Sequence, residues 1–391
     1  MASNEEKQLR PLILDMGTDT FRMGWAGDDF PDILAPSVNV DISDYIFDSD
    51  VIDGLEEIFI KDKELDKHLY GHEALDYQNI LKIHEFQKEG NYNILLKFFL
   101  HYYDKLQISE ENRFKQPLII LTPFFHSDLE KNKLQYIFFK NLNFPSILFL
   151  PASQAILSTL QKTTGVVLNI GESSCYISSI FHGFTNIMAR DVFPLAGKEL
   201  TNYLLNLILS KGESGKTFYL DTRIAKDIKE KTSLCVLDAK SEKKRVKGGL
   251  SKYDRTITMP DGTSLDINFE RFLMSEPLFD PKILHIDYPG VDKVIADVIK
   301  TWDRENWEEL LSNIILSGGG SLIPDLNTRL KQEIQKHFPE KVRDKVKIYA
   351  VSGRENMAWI GASILYSREQ LAKGWIENKQ VARPSEKIMP E

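Results

Sequence analysis

Two segments roughly 150 residues apart are built alike, and that repetition constrains the fold more than any other feature of the chain. Pro11–Asp15 (PLILD) is a short apolar run ending in an acid, with Gly17 just beyond and an alternating segment, Thr20–Gly27 (TFRMGWAG), after it. Gly165–Asn169 (GVVLN), Gly171 and Ser173–Ile180 (SSCYISSI) repeat the order. An apolar strand, a glycine-bearing turn and a second strand make a β-hairpin. Glycine at such a turn supplies conformations closed to other residues and lets backbone N–H groups approach phosphate oxygens. Two such hairpins predict two related lobes.

The remaining pattern fits an α/β protein. Pro117–Thr122 and Ser146–Leu150 read as buried strands, with a helix over Leu129–Asn141 between them, hence a parallel or mixed sheet with crossover helices. Ser153–Leu160, Glu199–Ser210, Thr222–Val236 and Ala358–Ser367 read as helices, and Ile314–Gly320 as a strand running into glycines. Lys347–Tyr349 reads as a short strand, and the polar, basic stretch Lys240–Arg255 as a loop. Phe98, Phe99, Tyr102 and Tyr103 follow helical spacing and read as core.

At 391 residues the chain exceeds what one core supports, so two domains are expected. The smaller takes 1–161 plus 357–391, with an insert at about 38–85; the larger takes 162–356, with an insert at about 198–286. A net charge of −8 argues against direct nucleic-acid binding. Cys175 and Cys235 stand in no metal or redox spacing and read as packed free thiols of a reducing compartment. The polar N-terminus lacks the apolar core of a secretory signal, and no apolar run reaches membrane-spanning length. The expected location is the cytoplasm, as part of the cytoskeleton, or the nucleus.

Four glycine-bearing pieces then fall in a telling order: the hairpins at Asp15-Met16-Gly17-Thr18 and Asn169-Ile170-Gly171-Glu172, Ser317-Gly318-Gly319-Gly320 after a strand, and Trp359-Ile360-Gly361-Ala362-Ser363 opening the last helix. Between them lie Gly24-Trp25-Ala26-Gly27-Asp28-Asp29 with Pro36-Ser37, Ala196-Gly197-Lys198-Glu199-Leu200-Thr201, Asp227-Ile228-Lys229-Glu230-Lys231, Pro260-Asp261-Gly262 and Glu270-Arg271-Phe272. From Leu12 to about Ser385 the chain resembles actin and the actin-related proteins. The resemblance implies an actin-like ATPase fold, α/β, with two lobes, each a mixed sheet with flanking helices, and a nucleotide in the cleft between them. It implies ATP or ADP with Mg2+, or Ca2+ as the alternative cation. By resemblance Asp15, Gly17 and Thr18 hold phosphate from the first hairpin, with Asp15 meeting the metal through water. Gly171 and Glu172 belong to the second hairpin; Gly197, Lys229 and Glu230 line the nucleoside pocket; Gly318, Gly319 and Leu322 lie beside the base. Gln154 matches the residue that positions the attacking water, against its reading in isolation as a helix-cap or surface glutamine.

The departures from the family concern hydrolysis. Asp19 replaces the last glycine of the first hairpin; Asn169, Glu172 and Tyr176 replace two aspartates and a histidine of the second; Glu355 replaces a lysine close to the nucleotide. Asn adds no charge and cannot act as a base, and a phenol with an ordinary pKa near 10 polarises water poorly. The expectation is nucleotide binding with weak or absent hydrolysis. The stretch matching the family's intersubunit loop, about Val38–Tyr70, is acidic (Asp41, Asp44, Asp48, Asp50, Asp53, Glu56, Glu57), which opposes insertion into an equally acidic neighbour.

Ser210–Thr217 (SKGESGKT) resembles half of a Walker loop but follows a helix rather than a strand, so it reads as an ordinary loop. Lys243-Lys244-Arg245 with Lys247 reads as a solvated surface cluster, and His84 and His101 as structural or surface histidines. The resulting expectation is a scaffold or cytoskeletal subunit, at most a slow ATPase. Its partners are other subunits of an assembly, further copies of itself, or actin, with no membrane insertion. The alternatives are a filament-forming homologue with slow assembly-linked ATPase and, from another class, a small-molecule kinase of the same superfamily. The kinase would need an acid poised as base in the cleft, and the connecting motifs argue against it.

Overall fold

The computed structural model describes residues 9–41, 68–78, 81–85, 92–211, 220–249, 251–259 and 262–379. Most of the acidic stretch (Asp44 to Glu57), the Lys216-Thr217 pair and Pro260-Asp261 lie outside the described residues. The chain divides into two compact units, 1–155 with 358–391, and 156–357. In chain order the strands are β1 (Leu12–Met16), β2 (Thr20–Trp25), β3 (Ile33–Pro36), β4 (Val38–Asp41), β5 (His68–Tyr70), β6 (His84–Glu85), β7 (Leu118–Thr122) and β8 (Ser146–Pro151). Then follow β9 (Gly165–Ile170), β10 (Cys175–Phe181), β11 (Phe184–Phe193), β12 (Arg255–Thr258), β13 (Ser264–Ile267), β14 (Ile314–Ser317), β15 (Ile348–Tyr349) and β16 (Ile376–Glu377).

The first unit carries a sheet of order β16-β8-β7-β1-β2-β3, in which β1 pairs antiparallel with β2 and parallel with β7. The second carries β11-β10-β9-β14-β15, in which β9 pairs antiparallel with β10 and parallel with β14. Each sheet is therefore mixed and joins an antiparallel meander to parallel strands, with helices on its faces. That is the architecture the repeated grammar predicts. Both β1 and β9 are internal strands, which explains why they read as unbroken apolar runs.

Alternation along β1 sorts its side chains between two layers. Leu12 and Leu14 join the aromatic layer of Phe98, Phe99, Tyr102 and Tyr103 from the Tyr92–Lys105 helix, as core as their spacing requires. Ile13 joins Trp359, Ala362 and Leu365 of the Met357–Ser367 helix on the other side. Trp359 is fully buried and its indole N–H donates to the Ile13 carbonyl at 3.2 Å, so this helix braces the strand that ends in Asp15. Gly24 makes room for that indole: a Cβ there would stand 2.9 Å from the Trp359 ring and 2.7 Å from Asp32 N. Ser363 completes the brace, accepting from Gly27 N at 2.8 Å and donating to Asp28 O at 2.6 Å. The Gly24–Asp29 signature is thus a docking seat for a helix.

Three elements differ from expectation. Ala239–Lys247 is a helix, not a loop. Asp238 caps it by accepting from Ser241 N at 3.0 Å, and Lys244, Arg245 and Lys247 crowd its last turn, where cations favour the helix dipole. It carries no apolar stripe, so periodicity missed it. The Thr222–Thr232 helix stops four residues short of Val236, because Leu234 N and Cys235 N are drawn to the carbonyls of Arg271 and Pro324. The Leu129–Asn141 helix is an α-helix over Asp128–Tyr136, opened by a Ser127/Glu130 capping box, that loosens into a π-turn over Ile137–Asn141. Cys175 and Cys235 are free and buried; burial raises both thiols, that of Cys235 to about 11. Among the described residues no helix is long and apolar enough to cross a membrane.

Removing the brace tests its weight. Trp359→Ala should destabilise the first unit by about 3–5 kcal/mol, whereas Asp238→Ala should cost about 1 kcal/mol. Urea denaturation followed by circular dichroism measures both, and equal effects would contradict the assignment of Trp359 as the support of β1.

Candidate functional site

In the first unit the hairpin β1–β2 sets Asp15 directly across from Arg22. Arg22 Nη1 reaches Asp15 Oδ2 at 3.2 Å and the Thr20 carbonyl at 3.3 Å. Desolvation pushes the Asp15 carboxyl above the usual range, and the Arg22 charge and hydrogen bond oppose that rise. The turn between the strands is closed tightly: a Cβ on Gly17 would lie 2.6 Å from the Thr20 carbonyl. Ser37 holds it from outside, its hydroxyl donating to Gly17 O at 2.6 Å and its N–H to Asp19 O at 2.9 Å. This explains why Pro36-Ser37 accompanies the hairpin. Thr18 is half-buried in the turn and Asp19 is exposed. Gln154 is exposed on the first turn of the Ala152–Thr159 helix.

In the second unit four of the expected residues converge. Gly171 opens the β9–β10 turn, with its N–H donating to Ser174 O at 2.8 Å. The Gly197–Ser210 helix begins against that turn. Its first N–H groups, Gly197 and Lys198, donate to the carbonyls of Gly171 and Glu172 at 2.9 and 2.8 Å. A Cβ on Gly197 would stand 2.4 Å from Glu172 Oε2 and 3.1 Å from Gly171 O, so a side chain there would displace the glutamate. Buried Lys229 donates from Nζ to Gly197 O at 2.8 Å and pairs with Glu172 at 3.6 Å. Desolvation lowers the Lys229 pKa, and the Glu172 carboxylate works against that fall. Glu230 is exposed, lies 4.0 Å from Lys226, and acts on Lys229 only through its charge.

The Gly318 turn reaches the same strand from the other side. Gly318 adopts φ +84, and a Cβ on it would lie 2.3 Å from the Ile170 carbonyl and 3.0 Å from Asn169 Oδ1. Ser317 of β14 pairs in register with Asn169 of β9, which brings the glycine there. At Gly319 a Cβ would meet nothing within 4 Å, and Leu322 is 43% exposed. Asn169 sits opposite Tyr176 across the hairpin, and Tyr176 is buried.

Sequence reasoning missed Arg22 and Arg354. The signal for Arg22 was a cation inside the apolar strand TFRMGW, at the position that a four-residue turn, closed by Met16 and Phe21, places opposite Asp15. Arg354 carried no local signal; it holds the Gly318 turn from a distant segment, donating to Ser321 O at 2.8 Å and Ser321 Oγ at 3.0 Å. Among the described residues no group of three or more His, Cys, Asp or Glu side chains converges to bind a metal directly.

Comparison with known proteins bears on the whole chain. The family model described as Actin matches residues 6–380. An "Actin-like protein" of Neurospora crassa is 30% identical over 379 residues, covering 94% of this chain and 93% of that protein.

The two neighbouring glycines make opposite predictions. Gly318→Ala meets backbone in a left-handed conformation and should cost at least about 2 kcal/mol. Gly319→Ala should change stability by less than about 0.5 kcal/mol. Chemical denaturation of the two variants decides, and a harmless Gly318→Ala would refute the close approach to β9.

Proposed function

Because this chain belongs to the actin family, we propose that it binds ATP or ADP with Mg2+, or Ca2+, and serves as a cytoskeletal or complex-scaffold subunit with weak hydrolysis. The observation that carries the binding reading is the knot of Gly171, Glu172, Gly197 and Lys229. It holds a partly exposed carboxylate, a natural acceptor for ribose hydroxyls, against a closely packed glycine turn. Open space over Gly319 beside exposed Leu322 fits a flat heterocycle. Gly17 and Thr18 offer a closed turn for phosphate, and Asp15 an acid suited to a cation that keeps its water. When bound, the cation would neutralise phosphate charge.

The residues around the phosphates favour holding over cleaving. Asn169 brings no negative charge and no base, and its cross-strand partner Tyr176 is buried rather than presented to solvent. Gln154, exposed on its helix, remains the residue best placed by resemblance to orient water, but with no general base beside it in the sequence pattern its effect is small. In this reading the nucleotide acts chiefly as a stabilising ligand of the folded state.

Assembly with protein partners, in the cytoplasm or nucleus, has its own support. Edge strand β11 exposes Phe184, Ile187 and Met188 at 76%, 69% and 73%. Exposed apolar side chains on a sheet edge are a liability for a free monomer and a resource for a subunit. Sedimentation and electron microscopy with Mg-ATP distinguish a subunit of a mixed assembly from a filament of this chain alone.

Saturating Mg-ATP, at about 100 times Kd, should raise the melting temperature by about 5–10 °C. Phosphate release should stay slow during any assembly, and Asn169→Asp with Tyr176→His should accelerate it by about 100-fold. Rapid assembly-linked release by the unaltered protein would overturn the hydrolytic part of the proposal, and absence of a thermal shift would overturn the binding part.

A further inference from the structure

The segment from Lys240 to Arg255 carries seven cations against two acids, Glu242 and Asp254, a net of +5 in a chain whose net charge is −8. Its first part is the Ala239–Lys247 helix, which bears Lys240, Lys243, Lys244 and Lys247. These positions are i, i+3, i+4 and i+7, so the four lysines share one face and span about 10 Å of helix axis. Lys240, Lys244 and Lys247 are exposed and Lys243 is half-buried.

The acids of this region are engaged elsewhere. Glu242 accepts from Arg245 at 3.0 Å and from the Tyr253 hydroxyl at 3.1 Å. Asp254 accepts from the Ser251 hydroxyl at 2.7 Å, and Asp238 caps the helix start. Among the described residues none of the four lysines pairs with a carboxylate. Like charges three and four residues apart on a helix repel. The helix dipole compensates for Lys244 and Lys247 in the last turn, but Lys240 stands in the first turn, where a cation is disfavoured. The fold thus presents a cationic stripe whose repulsion a bound polyanion relieves.

We propose that this stripe docks an acidic segment of a partner protein, one that presents carboxylates at matching helical spacing. Charge complementarity carries the choice. Single-stranded nucleic acid would need open rings on which to stack its bases. Here Phe269 is half-buried under the Lys243 ammonium at 5.1 Å, and Tyr253 is buried. A helix lying on a membrane needs apolar side chains beside its lysines, whereas Ala239 and Val246 belong to the apolar cluster of Tyr253 and Phe272. Leu237, 50% exposed just before the cap, offers an apolar contact at one end of the stripe. As an assembly contact the stripe rests on the reading of the chain as a subunit, and it requires no nucleotide.

Fluorescence anisotropy of the full chain tests it with a labelled helical peptide carrying glutamates at i, i+3, i+4 and i+7 and one leucine. Lys240→Gln/Lys244→Gln/Lys247→Gln should weaken binding by about 10-fold or more. Lys331→Gln/Lys341→Gln/Lys373→Gln removes the same charge from other exposed lysines and should weaken it by less than about 2-fold. A peptide of equal composition, with its glutamates scattered around the helix, should bind about 10-fold more weakly. Melting temperatures of both variants, with and without Mg-ATP, should match those of the unaltered chain. Equal weakening by the two triple variants, or equal binding of the two peptides, overturns the stripe as a docking site. Tighter binding of a single-stranded oligonucleotide of equal charge, or of phosphatidylserine vesicles, lost in the first variant, assigns the stripe to nucleic acid or membrane and overturns it as well. Self-association of the chain that the first variant abolishes gives the stripe to a second copy, with the same consequence. Each of these results leaves the subunit reading to its own sedimentation test and nucleotide binding to its thermal shift.

Discussion

The Gly197–Ser210 helix starts without a side-chain cap, since Ala196 at the capping position has no oxygen to offer. An uncapped helix start leaves N–H groups that must find acceptors elsewhere. Here the carbonyls of Gly171 and Glu172, on the hairpin turn, accept from the first two of them. Most of the second unit's site follows from that exchange. The turn is pinned to the helix, Glu172 is placed beside Lys229, and its carboxylate lies over Gly197. Lys229 closes the arrangement by donating to the Gly197 carbonyl from within the core. A buried ammonium tolerates such a position only when charge and acceptors are both supplied.

Charge in the two hairpins is spent on structure as much as on any ligand. Asp15 faces Arg22 across the first hairpin, and Glu172 faces Lys229 beside the second. Each pair leaves little net charge, while the positions that would drive chemistry are neutral or reversed: Asn169, Tyr176 and Glu355. Under the proposed function, a site built this way would hold its ligand through backbone and paired groups more than it would cleave it.

Elements were legible wherever burial imposes a period. PLILD and GVVLN are apolar up to their last residue because β1 and β9 are covered on both faces and flanked on both edges, and glycines mark the turns that follow. The Ala239–Lys247 helix was illegible because only Ala239 and Val246 carry its packed face, too few apolar residues to show a period, while its cap and charge pattern add support. The early end of the Thr222–Thr232 helix depends on acceptors at Arg271 and Pro324, which no local pattern could announce.

For the candidate site, the glycines and acids in their order carried the resemblance to the family, and that resemblance nominated Asp15, Gly17, Gly171, Glu172, Gly197, Lys229 and Gly318. Their partnerships were not readable. Lys229 and Gly197 are 32 residues apart, and Gly318 stands against a carbonyl of Ile170. Glu230 was nominated with its neighbour yet faces Lys226, because adjacent residues on a helix point in different directions. By itself, then, the chain's order of residues determined which strands and turns exist and what chemistry each carries. Tertiary structure decided which of them meet, since hydrogen bonds and ion pairs between distant segments form only after the sheets have set their register.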